Sequence, residues 1–155
     1  MDLVVSWDMI SVFNNYSLGI VKDDEKCELI KYWVESSDKD YQAMIHLFEK
    51  GDYSWSLFIG HLVIEKLLKA LFVQEKLQSP PFIHDLSRLA AKCDLELDEK
   101  QKDVLDALTT FNIRGRYDDY KMEFYHRCTE GFTENWLKSI KEFRTWLKEN
   151  HLKRC

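Results

Sequence analysis

The segment between Trp55 and Val73 is apolar on almost every side when it is wound as a helix. A helix with so little polar surface lies in the middle of a bundle or at a dimer interface. His61, Glu65 and Lys66 interrupt the segment, so it does not provide the roughly 20 consecutive apolar residues that a membrane span needs. The sequence therefore predicts a domain organised around one central helix.

Helical periodicity also precedes this central segment. In residues 38–50 the apolar side chains recur at the spacing of one helix face. We expect this helix to begin after Ser36-Ser37-Asp38, whose side chains suit an N-cap, and to end at Gly51. Asp52 can then cap the central helix, which ends before Ser79-Pro80-Pro81 because proline does not continue a helix.

The rest of the chain predicts three more helices. A short helix follows His84-Asp85, a longer one begins at Asp98, and the last covers about residues 129–150. We therefore expect an all-α, up-and-down helical bundle of four main helices plus a short fifth over residues 32–155. Residues 1–31 are expected to be an N-terminal extension whose structure the pattern leaves open.

Composition and charge exclude two broad classes of protein. Aromatic residues make up 14% of the 155 residues, far more than disordered chains carry, so the chain is expected to fold. The net charge of −5 argues against a protein whose whole surface binds nucleic acid.

The cysteines predict free thiols. The four cysteines, Cys27, Cys93, Cys128 and Cys155, are far apart and form no CxxC pair. Because the amino terminus shows no signal-peptide pattern, we expect four reduced thiols and a cytoplasmic location. Zinc ligands come in closely spaced pairs, and only His126 with Cys128 approaches that spacing. No metal or other cofactor is expected.

A polar line crosses the central helix. His61, Glu65 and Lys69 are spaced four residues apart and therefore stack along one line. One interpretation is that this line is the solvent face of an otherwise buried helix. The other is that it faces a cleft, where burial makes Glu65 a candidate for a shifted pKa.

A second polar group, His84-Asp85-Leu86, follows Pro80-Pro81. His84 or Asp85 is placed to cap the short helix, and Leu86 is placed to anchor it in the core. The alternative is a catalytic His84.

A third group lies in residues 112–120, which we call the arginine segment. Its Arg114 and Arg116 are always charged, and each can donate paired hydrogen bonds to a phosphate. Tyr117 and Tyr120 can stack on a base or offer a hydroxyl. The alternative is an internal tie, in which Arg114 or Arg116 pairs with Asp118, Asp119 or Glu65. In the purely structural alternative this tie joins Arg116 to Asp118.

Taken in order, these segments resemble the HEPN domain family (higher eukaryotes and prokaryotes nucleotide-binding). Residues 58–71 are similar to the family's central-helix signature. Pro80-Pro81 with His84-Asp85-Leu86 resembles its next segment, and residues 113–118 resemble the Arg-Tyr-containing end of its fourth helix. The resemblance covers about residues 32–150.

The resemblance implies a helical bundle that forms a homodimer, with the arginine loops of the two subunits meeting in a cleft. Many such proteins are small, stand-alone, cytoplasmic proteins of bacteria or archaea, encoded beside a minimal nucleotidyltransferase as a toxin–antitoxin pair. Catalytic members are metal-independent RNases in which a histidine follows an arginine a few residues later. The arginine would stabilise the phosphorane, and the histidine would assist attack by the ribose 2′-hydroxyl.

This sequence departs from that motif because no histidine stands at the expected distance after Arg114 or Arg116. The nearest one, His126, lies ten residues after Arg116 and reaches the cleft only if the chain loops back. By comparison with the family motif, Arg116, Arg114 and His126 are the candidate catalytic residues. In some toxin members a tyrosine near the motif is modified with AMP, and Tyr117 or Tyr120 resembles that acceptor.

The leading hypothesis is a HEPN-domain protein that binds a nucleotide or RNA phosphate in an arginine-lined dimer cleft and works with a nucleotidyltransferase-type partner. Its candidate binding residues are Arg114, Arg116, Tyr117, Tyr120, Glu65 and Lys69. Two alternatives stay open: a metal-independent RNase toxin of a toxin–antitoxin pair, and a purely structural bundle that dimerises or docks a partner. The missing motif histidine leaves open whether the chain is an enzyme.

Overall fold

The fold was analysed in a computed structural model, which describes residues 22–153 and 155. Within these residues the chain forms six helices: α1 Asp23–Glu49, α2 Tyr53–Lys76, α3 Leu86–Lys92, α4 Glu99–Arg116, α5 Glu123–Arg127 and α6 Glu130–Asn150. The four long helices form the bundle and α3 is the expected short helix, so the all-α prediction is confirmed. The short helix α5 was not predicted. The extension predicted for residues 1–31 lies largely outside the described residues.

The central helix of the sequence analysis is α2. It packs against α1, α3, α4 and α6. Its apolar side chains are buried around most of its circumference, including the fully buried Leu57, Val63, Ile64, Leu67, Leu68 and Val73. Among the described helices α2 contributes the largest share of the core, because a helix that is apolar on all sides must be covered on all sides. Within residues 22–153 and 155, every helix is too short or too polar to cross a membrane.

The first helix is longer than the sequence predicted. The expected start at Ser36-Ser37-Asp38 is wrong, since α1 begins at Asp23 and runs through these residues without a break. Their polar side chains bond to other helices: the Ser37 hydroxyl donates to the carbonyl of Val63 at 2.7 Å. α1 also runs across residue 31, so the domain boundary proposed there falls inside a helix.

The ends of the other helices show which of the expected caps form. Asp98 opens α4 with a capping box, in which its carboxylate accepts from the backbone N–H of Gln101 at 2.7 Å. Gly51 follows α1 with a positive φ of 81°, a conformation that glycine adopts without strain. Thr129 caps α6. Asp52 stands at the N-cap of α2, but its side chain accepts no capping hydrogen bond.

The expectation of four reduced thiols is wrong. A disulfide joins Cys27, in the second turn of α1, to Cys155, which follows α6. The two Cα atoms are 5.5 Å apart, within the range that a disulfide spans. Cys93 and Cys128 are free and buried. The cytoplasmic location rested partly on reduced thiols and stays a prediction.

Breaking the disulfide is expected to destabilise the fold. The bond spans a sequence separation of 128 residues, and closing so long a loop restricts the unfolded chain strongly. We expect Cys27→Ser to lower the free energy of unfolding by about 2–4 kcal/mol, measured by urea denaturation. Cys155→Ser is the matched variant, and the double variant should lose no more than either one because all three remove the same bond. Equal stability of the wild type before and after reduction would contradict the bridge.

Candidate functional site

The polar line on α2 is buried rather than exposed to solvent. His61, Glu65 and Lys69 are only 0%, 4% and 8% exposed. The solvent-face interpretation is therefore wrong. The burial of Glu65 agrees with the other interpretation, whereas the cleft that it placed beside this line stays a prediction. His84, from the loop between α2 and α3, joins these side chains. We call His61, Glu65, Lys69 and His84 the α2 polar cluster.

Glu65 is the acceptor at the centre of this cluster. Its Oε1 accepts from Lys69 Nζ at 2.7 Å, and its Oε2 lies 3.1 Å from His84 Nδ1. Burial by itself would raise the pKa of Glu65, but the hydrogen bond and charge of Lys69, supported by His84, hold that pKa below its usual value. Glu65 is therefore an ionised carboxylate inside the protein.

His61 is the neutral member of the cluster. Its Nε2 donates to the carbonyl of His84 at 2.8 Å, which fixes the ring tautomer with the proton on Nε2. Burial lowers the pKa of His61, and this effect exceeds the opposite effects of the hydrogen bond to the His84 carbonyl and of the Glu65 carboxylate. Its Nδ1 lies 3.7 Å from Glu65 Oε2, but no ion pair forms there because the ring is uncharged.

The cap of α3 is Asp85 and not His84. The Asp85 carboxylate accepts from the backbone N–H of Arg88 at 2.9 Å. Leu86 is fully buried, as expected of a core anchor. The side chain of His84 is 63% exposed and takes no part in the cap. Its hydrogen-bond partner is Glu65.

The arginine segment begins in the last turn of α4. Arg114 and Arg116 are both exposed. Arg116 Nε donates to the carbonyl of Asn112 at 3.0 Å, and the guanidinium carbon lies 5.5 Å from the ring centres of Phe58 and Tyr117. Among residues 22–153 and 155, neither arginine forms an ion pair.

The carboxylates that were candidates for an internal tie are engaged elsewhere. Asp118 accepts from the backbone N–H groups of Asp119, Phe124 and Tyr125 at 2.9, 3.2 and 2.7 Å. Burial would raise the pKa of Asp118, but these three hydrogen bonds hold it below its usual value, with help from the charge of Arg114. Asp118 thus holds the start of α5 in place, and no hydrogen bond joins it to Arg116.

Gly115 was not singled out from the sequence, yet it sets the distance between α4 and α2. A Cβ at this position would lie 2.9 Å from Phe58 Cβ and 3.3 Å from the backbone oxygen of Ser54. Real Cβ atoms essentially never approach so closely, so only glycine allows this contact. The close approach brings Arg116 onto Phe58. In the sequence, the only indication of this close packing was a glycine between two arginines at the end of a predicted helix.

The remaining predicted residues lie apart from the cluster. Tyr117 and Tyr120 are 74% and 91% exposed. Tyr120 contacts Lys121, whose Nζ lies 5.7 Å from the ring centre. His126 is exposed on α5 with its ring against Tyr125. In the described part of the chain, no hydrogen bond or ring contact joins His126 to Arg114 or Arg116.

A cavity and the distribution of metal-ligating side chains were also considered in the described part of the chain. A cavity of about 590 Å³ lies between α1 and α6, but its Arg144 and Lys148 are already paired with Asp38 at 2.8 Å each. Within the residues that the structure describes, no group of three or more His, Cys, Asp or Glu side chains is arranged to hold a metal ion.

The comparisons with known proteins identify the family. The model of the HEPN domain matches residues 30–150, which is well over half of the chain. The chain therefore belongs to the HEPN domain family, as the ordered segments predicted. No match was found among curated proteins or among solved structures.

Acid is expected to destabilise the protein through the α2 polar cluster. Because the pKa of His61 is lowered from 6.5 on folding, the unfolded chain binds that proton more readily, and stability is lost as the pH falls below 6.5. Glu65 adds a further loss below 4.5. We expect the free energy of unfolding to fall by at most about 1.4 kcal/mol per pH unit from His61 alone.

His61→Gln tests this origin of the acid sensitivity. Glutamine keeps a donor for the carbonyl of His84 but does not titrate, so stability should change less between about pH 7.5 and 5.5. Urea denaturation at both pH values measures the difference. His46→Gln, at an exposed position of α1, should keep the wild-type slope. A wild-type slope in His61→Gln would show that another group is responsible.

Gly115→Ala should weaken the packing of α4 against α2. The added methyl meets Phe58 Cβ and the Ser54 carbonyl, an overlap that costs about 1–3 kcal/mol. The better helix propensity of alanine returns at most about 1 kcal/mol. The variant should therefore unfold at a lower urea concentration than the wild type. Gly131→Ala is the matched control, since nothing lies within 4 Å of its added Cβ, and it should be as stable or more stable.

Proposed function

We propose that this protein binds a nucleotide or an RNA phosphate at the arginine segment. Arg114 and Arg116 donate to the phosphate, and the exposed ring of Tyr117 stacks on a base. The observation that carries the proposal is that both arginines are exposed and without an ion-pair partner among residues 22–153 and 155. Membership of the HEPN family supports a nucleotide- or RNA-related role in general.

Arg116 is oriented before any ligand arrives. Its Nε is held by the Asn112 carbonyl, and its flat face rests against Phe58 and Tyr117. This arrangement leaves the two terminal nitrogens as donors for a phosphate. A side chain that is already ordered loses less entropy on binding, which strengthens the interaction.

We also propose that the cleft lies between two copies of this chain. Large apolar side chains next to Arg116 are exposed, with Trp55 at 49%, Ile113 at 58% and Tyr117 at 74%. Apolar groups gathered at one surface of a folded protein favour an interface. Dimers are common among HEPN domains. A second copy would place a second pair of arginines opposite the first.

A nucleotidyltransferase-type protein is the proposed partner. Tyr120 is the most exposed aromatic side chain of the arginine segment at 91%, so its hydroxyl is open to a modifying enzyme. Tyr117 is the second candidate acceptor. Glu65 and Lys69 are buried and bonded to each other, so we assign them a supporting role behind the phosphate site.

The alternatives differ in what they require of this surface. A metal-independent RNase toxin needs a proton-transfer residue beside Arg116, and His126 has no contact with it in the described chain. A purely structural bundle was expected to tie Arg116 to Asp118, but the Asp118 carboxylate is bonded to backbone N–H groups of α5 instead. The binding function agrees best with two exposed arginines that form no ion pair among residues 22–153 and 155.

Replacing both arginines should abolish binding. In the double variant Arg114→Ala/Arg116→Ala, affinity for a fluorescent single-stranded oligoribonucleotide or for ATP should fall at least about 100-fold, since two contacts to a phosphate of about 1.5–3 kcal/mol each are lost. Fluorescence anisotropy measures the affinity, and far-UV circular dichroism should be unchanged.

The matched control is Lys138→Ala/Lys141→Ala, which removes two exposed cations from α6. It should bind like the wild type, because neither lysine belongs to the arginine segment and a lysine ammonium lacks the forked donor pair of an arginine. Equal binding by the arginine variant and the wild type would reject the site.

A further inference from the structure

The disulfide between Cys27 and Cys155 lies at the protein surface, where both residues are exposed. The other two cysteines are different. Burial raises the pKa of Cys93 to about 12 and that of Cys128 to about 11, so both stay protonated at neutral pH. Since the thiolate is the reactive form, these two thiols are poor nucleophiles. Thiol–disulfide exchange with a molecule in solution is therefore expected at the surface disulfide.

One residue of this disulfide lines a cavity. The cavity of about 590 Å³ between α1 and α6 has Cys155 on its wall, whereas Cys27 is not among the residues that line it. Ile30, Val34 and Leu152 give it an apolar part. Pockets that hold small molecules have volumes of roughly 300–1,000 Å³, so this cavity is large enough for one. A small molecule bound there would lie beside Cys155.

The cavity offers charges of both signs to a ligand. Three of the cations on its walls already have carboxylate partners: Lys31 with Glu35, and Arg144 and Lys148 with Asp38. Lys153 and Glu149 also line the cavity and are exposed, and neither forms an ion pair among residues 22–153 and 155. A ligand carboxylate can pair with Lys153 and a ligand ammonium with Glu149. These walls suit a zwitterionic molecule.

The stretch after α6 is held in place by contacts other than the disulfide. Gln74 of α2 is buried; its Nε2 donates to the carbonyl of His151, and its Oε1 accepts from the backbone N–H of Lys153, both at 2.8 Å. Leu152 packs against apolar side chains of α1 and α2. Opening the disulfide therefore leaves the two sulfurs close together, at a high effective concentration, and the bond can form again.

We propose that the cavity binds a small zwitterionic peptide thiol of the glutathione type, and that Cys155 is the residue with which this thiol forms a mixed disulfide. Such a peptide carries carboxylates, an ammonium group and a thiol, which match Lys153, Glu149 and Cys155 in turn. The site shares no residue with the arginine segment or the α2 polar cluster, so the proposal does not depend on the proposed function.

The reaction is a thiol–disulfide exchange. The thiolate of the bound peptide attacks Cys155 Sγ, and a new sulfur–sulfur bond forms between them. The bond between Cys27 and Cys155 breaks, and Cys27 leaves as a thiolate that takes a proton from water. The sulfur of the peptide is oxidised and that of Cys27 is reduced. In the reverse direction the Cys27 thiolate attacks Cys155 Sγ, releases the peptide thiol and restores the disulfide.

Cys27→Ser makes the mixed disulfide stable enough to observe, because no second thiol is present to displace the peptide. With glutathione disulfide as the probe, the Cys155 thiolate attacks one sulfur and releases one glutathione. Mass spectrometry should find one glutathionyl group, on Cys155, and the rate should saturate as the probe concentration rises. In the matched variant Cys155→Ser, Cys27 should react on the order of tenfold more slowly, since it does not line the cavity.

The charges on the cavity walls are tested in the Cys27→Ser background. Adding Glu149→Gln/Lys153→Ala should raise the half-saturating concentration of glutathione disulfide about tenfold, which corresponds to about 1.4 kcal/mol of binding free energy. The rate with 2-hydroxyethyl disulfide, an uncharged probe, should not change. Glu134→Gln/Lys138→Ala removes an exposed pair of charges elsewhere on α6 and should leave both rates unchanged.

Three results would overturn the proposal: a rate that rises linearly with glutathione disulfide, equal rates at Cys27 and Cys155, or an unchanged half-saturating concentration in Glu149→Gln/Lys153→Ala. If Cys27→Ser does not fold, the wild type decides the question. Opening of its disulfide should saturate with reduced glutathione but rise linearly with 2-mercaptoethanol, while far-UV circular dichroism stays constant. A linear rise with both thiols would mean that the cavity binds neither.

Discussion

The ionised carboxylate of Glu65 is the group on which the interior arrangement of this protein depends. A buried charge must be neutralised and hydrogen-bonded, and removing one partner of such a pair costs about 3–5 kcal/mol. Lys69 comes from the next turn of the same helix, but His84 comes from beyond Pro80-Pro81. The loop after α2 is therefore held against the helix by electrostatics as well as by apolar packing.

Two side chains of α2 support exposed side chains from other parts of the fold. Near the start of the helix, Phe58 meets Gly115 and supports Arg116. Further along, Glu65 supports His84. Arg116 and His84 are therefore both supported by side chains of one helix, although they come from α4 and from the α2–α3 loop. A binding site benefits when its side chains are held by a rigid helix, since small displacements of its groups reduce binding strongly.

The sequence predicted correctly those helices and helix ends that depend on a few neighbouring residues. The apolar segment from Trp55 to Val73 predicted a buried central helix, and Asp98 predicted the start of α4, because periodicity and capping act over a few residues. It mispredicted the start of α1, since Ser36-Ser37-Asp38 has the composition of a cap. Only the neighbouring helices show that these side chains bond across the bundle.

The site was also harder to predict, because its contacts join residues that are far apart in the sequence. His61, Glu65 and Lys69 could be placed on one line, but burial of that line depends on which helices cover it. The pairing of His84 with Glu65 joins residues that are 19 positions apart, and the carboxylate of Asp118 is committed to α5, a helix with no clear sequence signal. The sequence alone therefore could not decide whether Asp118 pairs with Arg116.

The disulfide has a mechanical consequence. Cys27 and Cys155 enclose nearly the whole bundle, so the polypeptide between them and the sulfur–sulfur bond together form a closed covalent ring. A pulling force applied at these two positions is carried by the bond, and the helices are shielded from the load. In the reduced protein the same force would act on α1 and α6 directly and could peel them from α2.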